Sequence, residues 1–468
     1  MRGVTSGEER DERAVVALLA GCGMLSSLQF TLVVPVLPLI PELLGTTAAD
    51  ASWLLTITLL IGVVGTPIIT RLADMHGRRR MLLAAMGLLV MGSVIAALSG
   101  GSVGVMIGRA LQGFGTAVVP IGIALMSSSV SRRSATFGIA LMSGTLGIGS
   151  ALGLAVAGPL VAWGGLAMIF WVSGAIGAIF LVLIVVRVAE TPTAPTGRFD
   201  VLGAVLLTIG LTTRLLAISR GTQWGWGSPM TLSMTAVAAT TIPVWLLWER
   251  HHAHPMVDVR IAMSSRILTI NLASFVATFG MYANHLLTTQ EALAPTSIAY
   301  GLGADGSTVG LYLLPSALVM VALSPVAARV ILRFGARASL MLGATILAGA
   351  FGFRLVLHSE PATVVIGSGL VGVGVAFAFA AMPSLITASV PAEQVAAANG
   401  VNSVVRTLSG AVAAALFALL IAAMPSPVDD AYLSHPALLL SFGTAALCGV
   451  ATVAIAAFLR LPDSKELA

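Results

Sequence analysis

The sequence predicts an all-α polytopic membrane protein of fourteen transmembrane helices, arranged as two six-helix halves with two further helices inserted between them. Three observations predict it: the scarcity of charge, the number of apolar runs, and an internal repeat. Of 468 residues, 57% are hydrophobic and 9% charged, and the mean hydropathy is +1.00. A globular domain carries about 25% charged residues, so this chain cannot cover a water-facing surface and its solvent must be lipid. At about 20 apolar residues per crossing, the length admits a dozen or more helices and leaves no room for a sizeable soluble domain.

Composition also excludes chemistry. The 24 basic residues include one lysine, Lys465, so no phosphate-binding G-x-x-x-x-G-K-[ST] loop exists. That rules out an ATP-driven pump within this chain and Schiff-base catalysis, and the protein is read as no enzyme. Cys22 and Cys448 both lie in apolar stretches, where they act as small hydrophobes, and no metal site is implied.

Met1 to Arg13 forms a charged tail, and the apolar stretch after it continues to Ile40, far longer than a signal-peptide core of about 7 to 15 residues. No cleaved signal is read. Apolar runs then mark helices at 14–40, 52–71, 81–99, 103–128, 137–162 and 165–187. Val188 to Asp200, with two prolines and both charge signs, reads as a solvated connector. The inserted pair follows at 201–219 and 230–248, and six more runs lie at 267–290, 308–332, 338–357, 362–386, 398–423 and 436–460. The domains are therefore an N-terminal tail (1–13), a first half (14–187), a linker with the inserted pair (188–265), a second half (266–460) and a C-terminal tail (461–468).

When loops are assigned alternately to two sides, nineteen basic residues fall on the side of the N-terminus. Arg220 and Arg354 fall opposite, and Arg109, Arg214 and Arg406 lie within helices. Because cytoplasmic loops hold the Lys and Arg excess, both termini are expected inside. Trp53, Trp163, Trp224, Trp226, Trp245 and Trp248 fall at expected interfaces, with Trp171 deeper as a packing residue.

The repeat has a spacing near 260 residues. Pro67, Arg71, Gly77 and Arg79 recur 258 residues later as Pro325, Arg329, Gly335 and Arg337. Ile107, Gly108, Leu111, Gly113 and Gly115 recur after 259, as Ile366, Gly367, Leu370, Gly372 and Gly374. Gly138, Thr145 and Leu146 recur after 262, as Gly400, Thr407 and Leu408. Duplicated membrane halves belong to alternating-access transporters, whose substrate site lies between them near the midplane.

These residues resemble the major facilitator superfamily, and within it the fourteen-helix drug:proton antiporter branch, over nearly the whole chain. Thr70-Arg71-Leu72-Ala73-Asp74-Met75-His76-Gly77-Arg78-Arg79 is similar to the pattern G-x-L-x-D-R-x-G-R-R, with Thr70 and Met75 as departures. The resemblance implies a conformational latch of Asp74, Gly77, Arg78 and Arg79 favouring the outward-facing state; a topogenic basic loop is the alternative. Arg109 to Gly115 matches R-x-x-Q-G-x-G, implying a cavity-facing pair of Arg109 and Gln112, three residues apart on one face, with Phe114 beside it. Gly147, Gly149, Gly153 and Gly158 before Pro159 resemble the branch's glycine-and-proline signature, although Ser150 and Leu154 stand where prolines are expected. Helix-packing glycines permit close backbone approach.

Helix 1 departs from the branch, since Gln29 replaces the embedded acid of L-D-x-T. With no mid-helix Asp or Glu in the first half, the proton-coupling candidates are Arg109, His285 and Glu291, a loop role for Glu291 remaining open. The expected substrate cavity combines Gln29, Thr31, Arg109, Gln112, Phe114, Asn284, His285, Asn402, Ser403 and Arg406. Asn399, Asn402, Ser403 and Arg406 form a polar stripe that either lines the cavity or bonds between helices. Glu249 to Pro255 contains three histidines, read as a headgroup-facing cluster rather than a metal site.

The resemblance implies a plasma-membrane exporter of amphipathic small molecules that needs no cofactor beyond a proton gradient. Its partners are a small-molecule substrate and the lipid bilayer, with no nucleic-acid role, and it is read as a monomer. A differently coupled exporter of a lipid, siderophore or metabolite, or a non-transporting receptor or scaffold, is the alternative.

Overall fold

A computed structural model describes residues 6–190, 198–253, 255–304 and 308–459. Its long helices are α1 (Ser6–Thr31), α2 (Ala48–His76), α3 (Arg78–Leu98) and α4 (Ser102–Ser129), the last passing through a 3-10 segment at Phe114–Ala117. Arg132–Arg187 is a 56-residue helical path containing non-helical Gly164 (φ −144°) and Gly165 (φ +70°). At 1.5 Å per residue such a path is far too long for one crossing, and the glycine pair divides it into α5 (132–163) and α6 (166–187). Only glycine adopts the Gly165 conformation without strain. The inserted pair is α7 (Val201–Trp224) and α8 (Pro229–His251). The second half comprises α9 (Ser265–Leu293), α10 (Val309–Phe334), α11 (Ala336–Val356), α12 (Pro361–Thr387), α13 (Val395–Ala423) and α14 (His435–Ala457). Among the described residues, thirteen helical segments are long and apolar enough to cross a membrane, and taking the two arms of the 56-residue path separately gives the fourteen expected.

Helix starts follow side-chain capping. Thr47 accepts from the Asp50 N–H, Asp200 from Gly203 and Ser228 from Thr231. The repeat's paired glycines, Gly77 (φ +110°) and Gly335 (φ +86°), make the equivalent turns between α2 and α3 and between α10 and α11.

The first helix is shifted relative to expectation: it begins at Ser6, inside the expected tail, and ends early. Instead of continuing to Ile40, α1 ends at Thr31, and a 3-10 turn (Leu37–Leu39) and a short helix (Ile40–Leu44) follow. Pro35 and Pro38 supply no N–H to extend the ladder. Two tryptophans also differ from expectation: Trp171 is 43% exposed on the outer surface, whereas Trp245 is 9% exposed and donates to Glu249.

Each half has its own apolar core, one built from α1 to α6 and the other from α9 to α14. A third cluster joins Val63 of α2, Leu207, Leu211 and Leu215 of α7, and Val404 of α13, so the inserted pair spans both halves. Arg220 fixes α7 to α2, donating to Ser52 and Thr56 at 2.8 and 3.0 Å with its guanidinium 4.3 Å from the Trp53 ring. Arg214, within α7 as expected, is exposed on its surface.

A cavity between the halves

The halves are joined on the face carrying the N-terminus, called the tail face below. There Asp74, 4% exposed, accepts from the Ala397 N–H at 3.1 Å and faces Arg78 at 3.4 Å. Ala397 lies in the first turn of α13, where backbone donors have no partner within the helix and the dipole favours an anion. Arg78 donates to the Ala392 carbonyl across the interface and to Ala124 within its own half. Arg79 does not cross. Its N–H and guanidinium bind Glu190 and the Val185 carbonyl, tying the loop to the end of α6. A Cβ at Gly77 would strike the Glu190 carboxylate.

Deeper in, Ser143 donates to the Phe379 carbonyl at 3.0 Å. Above this bond, away from the tail face, lies a cavity of about 220 Å³. The first half contributes Ser26, Ser27, Phe30 and Thr31 of α1, Leu59, Gly62 and Val63 of α2, Thr116 and Val119 of α4, and Leu146, Gly147 and Ser150 of α5. The second contributes Thr278, Met281, Tyr282 and His285 of α9, Leu313, Ser316, Ala317 and Met320 of α10, Phe379 of α12, and Ser403, Arg406 and Thr407 of α13. Among the described residues, no Asp or Glu is in this wall.

Thr31, His285, Ser403 and Arg406 of the expected set line the cavity; the other six lie outside the wall. Arg109 is completely buried inside the first half, donating to the carbonyls of Gln29 (2.9 Å) and Leu54 (3.3 Å) and to Gln112 Oε1 (2.9 Å). Gln112 in turn donates to Ser93, and Gln29 to the Gln112 carbonyl. These contacts turn Arg109, Gln29 and Gln112 into a clamp of α1, α2, α3 and α4. Phe114 packs its ring against Gly65 of α2. Asn402 donates to Asn271 and Ser274 of α9, and Asn399 to the Val395 carbonyl, so both bond within the second half.

Asn284 belongs to a second buried polar cluster. Arg354 of α11, 1% exposed, donates to Asn284 Oδ1 at 2.6 Å, to Thr288 at 3.0 Å and to Glu291 Oε2. Glu291 is completely buried and is an ion-pair partner rather than a loop residue. Sequence reasoning placed Arg354 on the outer side and missed this pair; their shared position at the far ends of α9 and α11 was the available signal. The Phe442 ring covers the Arg354 guanidinium at 4.7 Å. Nearby, His358 and His435 share a hydrogen bond at 2.9 Å between their Nε2 atoms. Burial, with His435 adding to it, holds the His358 imidazole below its ordinary range.

The glycines of α5 divide by neighbour. Gly149 and Gly153 lie against the α1 backbone at Met24 and Leu28, and Gly147 lies against Met320 of α10. A Cβ on Gly158 would meet nothing, so this glycine is no packing contact. The side chain of Leu154 lies outside the described residues, as do His254, Arg460 and the C-terminal tail with Lys465. Of the other two histidines in that loop, His251 approaches the Leu247 carbonyl and His252 faces Asp200 at 3.7 Å. Among the described residues, no group of three or more His, Cys, Asp or Glu could hold a metal ion.

Known proteins are similar to this chain in sequence and in fold. The profile described as Major Facilitator Superfamily matches residues 19–289 and again 270–468. Multidrug resistance protein Stp of Mycobacterium tuberculosis is 29% identical over 371 residues, covering 78% of this chain and 67% of that protein. The tetracenomycin C resistance and export protein of Streptomyces glaucescens is 25% identical over 419 residues, 87% of this chain and 75% of its own. Among solved structures, the human organic anion transporter MFSD10 superposes with a TM-score of 0.66 at 18% identity, covering 95% of this chain and 99% of that one. The proton:xylose symporter XylE gives 0.67 at 12% identity and 97% of both chains. At those identities the likeness concerns the fold.

Proposed function

Because the chain belongs to the major facilitator superfamily of membrane transporters, we propose that it is a secondary active exporter of amphipathic small molecules, of the fourteen-helix drug:proton antiporter branch. The observation that carries this reading is the cavity between two duplicated halves, walled by both and sealed on the tail face. Its mixture of apolar side chains and few polar anchors suits amphipathic ligands. The resistance and export proteins similar to the chain support export as the direction.

Alternating access follows from the contacts at the tail face. Opening there requires the Asp74 to Ala397 and Arg78 to Ala392 bonds to break, so these bonds favour the state open to the opposite face. The basic tail-face loops support a cytoplasmic placement of both termini in the plasma membrane, and the cavity is complete within one chain, which fits a monomer.

Glu291 is the proposed proton carrier. Protonation there would discharge the carboxylate that holds Arg354 and leave a buried cation unpaired, an unfavourable state that rearrangement of α9 against α11 relieves. His285, on the cavity side of the same helix, is positioned to relate substrate occupancy to that pair, whereas Arg109 acts through its clamp of the first half.

The test is reconstitution of the full chain in liposomes. Efflux of amphipathic dyes is measured with and without an imposed pH gradient, while lumenal pH is recorded. Gradient-driven flux with counter-movement of protons is expected, and Glu291→Gln should abolish the drive while retaining substrate binding. Flux indifferent to the gradient would overturn antiport, and no flux across the panel would overturn the transporter reading for these compounds.

A further inference from the structure

Arg109, Arg214, Arg354 and Arg406 all lie in membrane helices, and their environments differ. Arg109 is satisfied by carbonyls and Gln112, Arg354 is paired with Glu291, and Arg214 is exposed on the outer surface. Arg406 is none of these. It lies in α13, roughly 16 Å along the helix from its start at 1.5 Å per residue, and lines the cavity. Its guanidinium packs over the Phe379 ring at 4.1 Å, and its buried Nε has no hydrogen-bond partner.

A guanidinium whose face is covered by a ring keeps its N–H donors in the plane, at the edge, where they match an oxyanion in a bidentate fork. A second orphan lies in the same cavity: the Thr278 hydroxyl, on a residue 1% exposed, has no partner either. Among the described residues, the remaining titratable groups in the wall are Tyr282 and His285, and no carboxylate there offsets the arginine. An unpaired cation at this depth is costly to maintain, and an entering anion would relieve that cost, whereas an entering cation would add like-charge repulsion.

We propose that the cavity selects organic anions, with Arg406 anchoring the carboxylate or sulfonate of an amphipathic substrate whose apolar body packs against Phe30, Leu59, Val63 and Met281. Thr278 supplies a further donor from the facing helix. This proposal rests on the reading of the cavity as the substrate site and names the charge class that the site accepts.

The experiment uses three ligands with one aromatic body, 1-naphthylacetate, 1-naphthylacetamide and 1-naphthylethylammonium. Each is titrated calorimetrically into the full chain in phosphatidylcholine nanodiscs at pH 7.5. Naphthylacetate should bind at least tenfold more tightly than the amide, and the ammonium more weakly than the amide. Arg406→Gln should bring naphthylacetate to the level of the amide with amide binding unchanged, and Arg406→Lys should keep the original order. Absence of naphthylacetate binding, equal or tighter ammonium binding, or an anion preference that survives Arg406→Gln would overturn the proposal. If Arg406→Gln does not fold, the wild-type ranking decides alone. Flux of the same ligands separates the two readings: an anion that binds without crossing overturns transport and leaves the anion site, and preferential ammonium flux does the reverse.

Discussion

Replacing Asp74 tests whether the tail-face contact sets the balance between the two access states. One carboxylate oxygen accepts from Ala397 N–H in the first turn of α13 and the other faces Arg78, the whole group being 4% exposed. Asp74→Asn keeps an acceptor of the same shape but removes the charge. The interaction of an anion with a helix N-terminus contributes about 0.3–1 kcal/mol, rising to about 2 where partly buried, so with the Arg78 pair the loss is about 1–2 kcal/mol. At about 1.4 kcal/mol per factor of ten, the population open to the tail face should rise roughly five- to thirtyfold. Asp74→Ala also deletes the acceptor, a further loss of about 0.5–2 kcal/mol. The assay places spin labels at Arg133 of α5 and Arg333 of α10, both exposed near the tail face, in a chain whose Cys22 and Cys448 are replaced by alanine. Pulsed dipolar distances should gain a longer component in the order wild type, Asp74→Asn, Asp74→Ala. Identical distributions in all three folded proteins would refute the reasoning.

Other outcomes follow from individual contacts. Glu291→Gln strands a buried arginine and should cost about 3–5 kcal/mol, most of it recovered in the double variant Glu291→Gln, Arg354→Met; thermal melting in nanodiscs compares the two. Gly149→Ala drives a methyl into the Met24 carbonyl and should cost about 1–3 kcal/mol, whereas Gly158→Ala, facing open space, should be neutral or raise the melting temperature. Arg109→Ala should lower stability by several hydrogen bonds, each about 1.5–3 kcal/mol for a charged donor, while leaving the charge preference of bound ligands intact in the same calorimetric titrations. His358 has a lowered pKa in the folded chain, so the unfolded chain binds the proton more readily and stability should fall as pH drops through the ordinary histidine range near about 6.5. His358→Asn should flatten that part of a melting-temperature profile.

Helix number was legible because every crossing must be interrupted by charge, glycine or proline, and the paired turns at Gly77 and Gly335 repeat that punctuation. The end of α1 was written in Pro35 and Pro38, although hydropathy alone carries the run to Ile40. Local spacing also put Arg109 and Gln112 on one helix face, since residues three apart share it, although the face turns to the first half's interior and not to the cavity. What spacing does not contain is which neighbour occupies that face. Arg109 and Arg406 look alike in sequence, yet one points into its own half and the other between halves, a distinction decided by helices distant in the chain. Adjacent Asn402 and Ser403 show the same limit, pointing about 100° apart around a helix of 3.6 residues per turn, one to α9 and the other into the cavity.

The duplication makes the placement of the acid informative. Gly108 of α4 packs against Ala96 of α3, whereas its counterpart Gly367 packs against the aliphatic stem of Arg354, which stands 258 residues after Ala96. Both halves therefore bury an arginine behind the cavity wall at corresponding junctions, held by an α1 or α9 residue: the Gln29 carbonyl for Arg109 and the Asn284 side chain for Arg354. Neutral acceptors surround Arg109, so its environment does not change with pH in the physiological range. Arg354 answers to a carboxylate, which can take a proton. On the antiport reading proposed above, proton work belongs with the second half, and the first half, without such a pair at the matching junction, is the reference against which α9 and α11 would move.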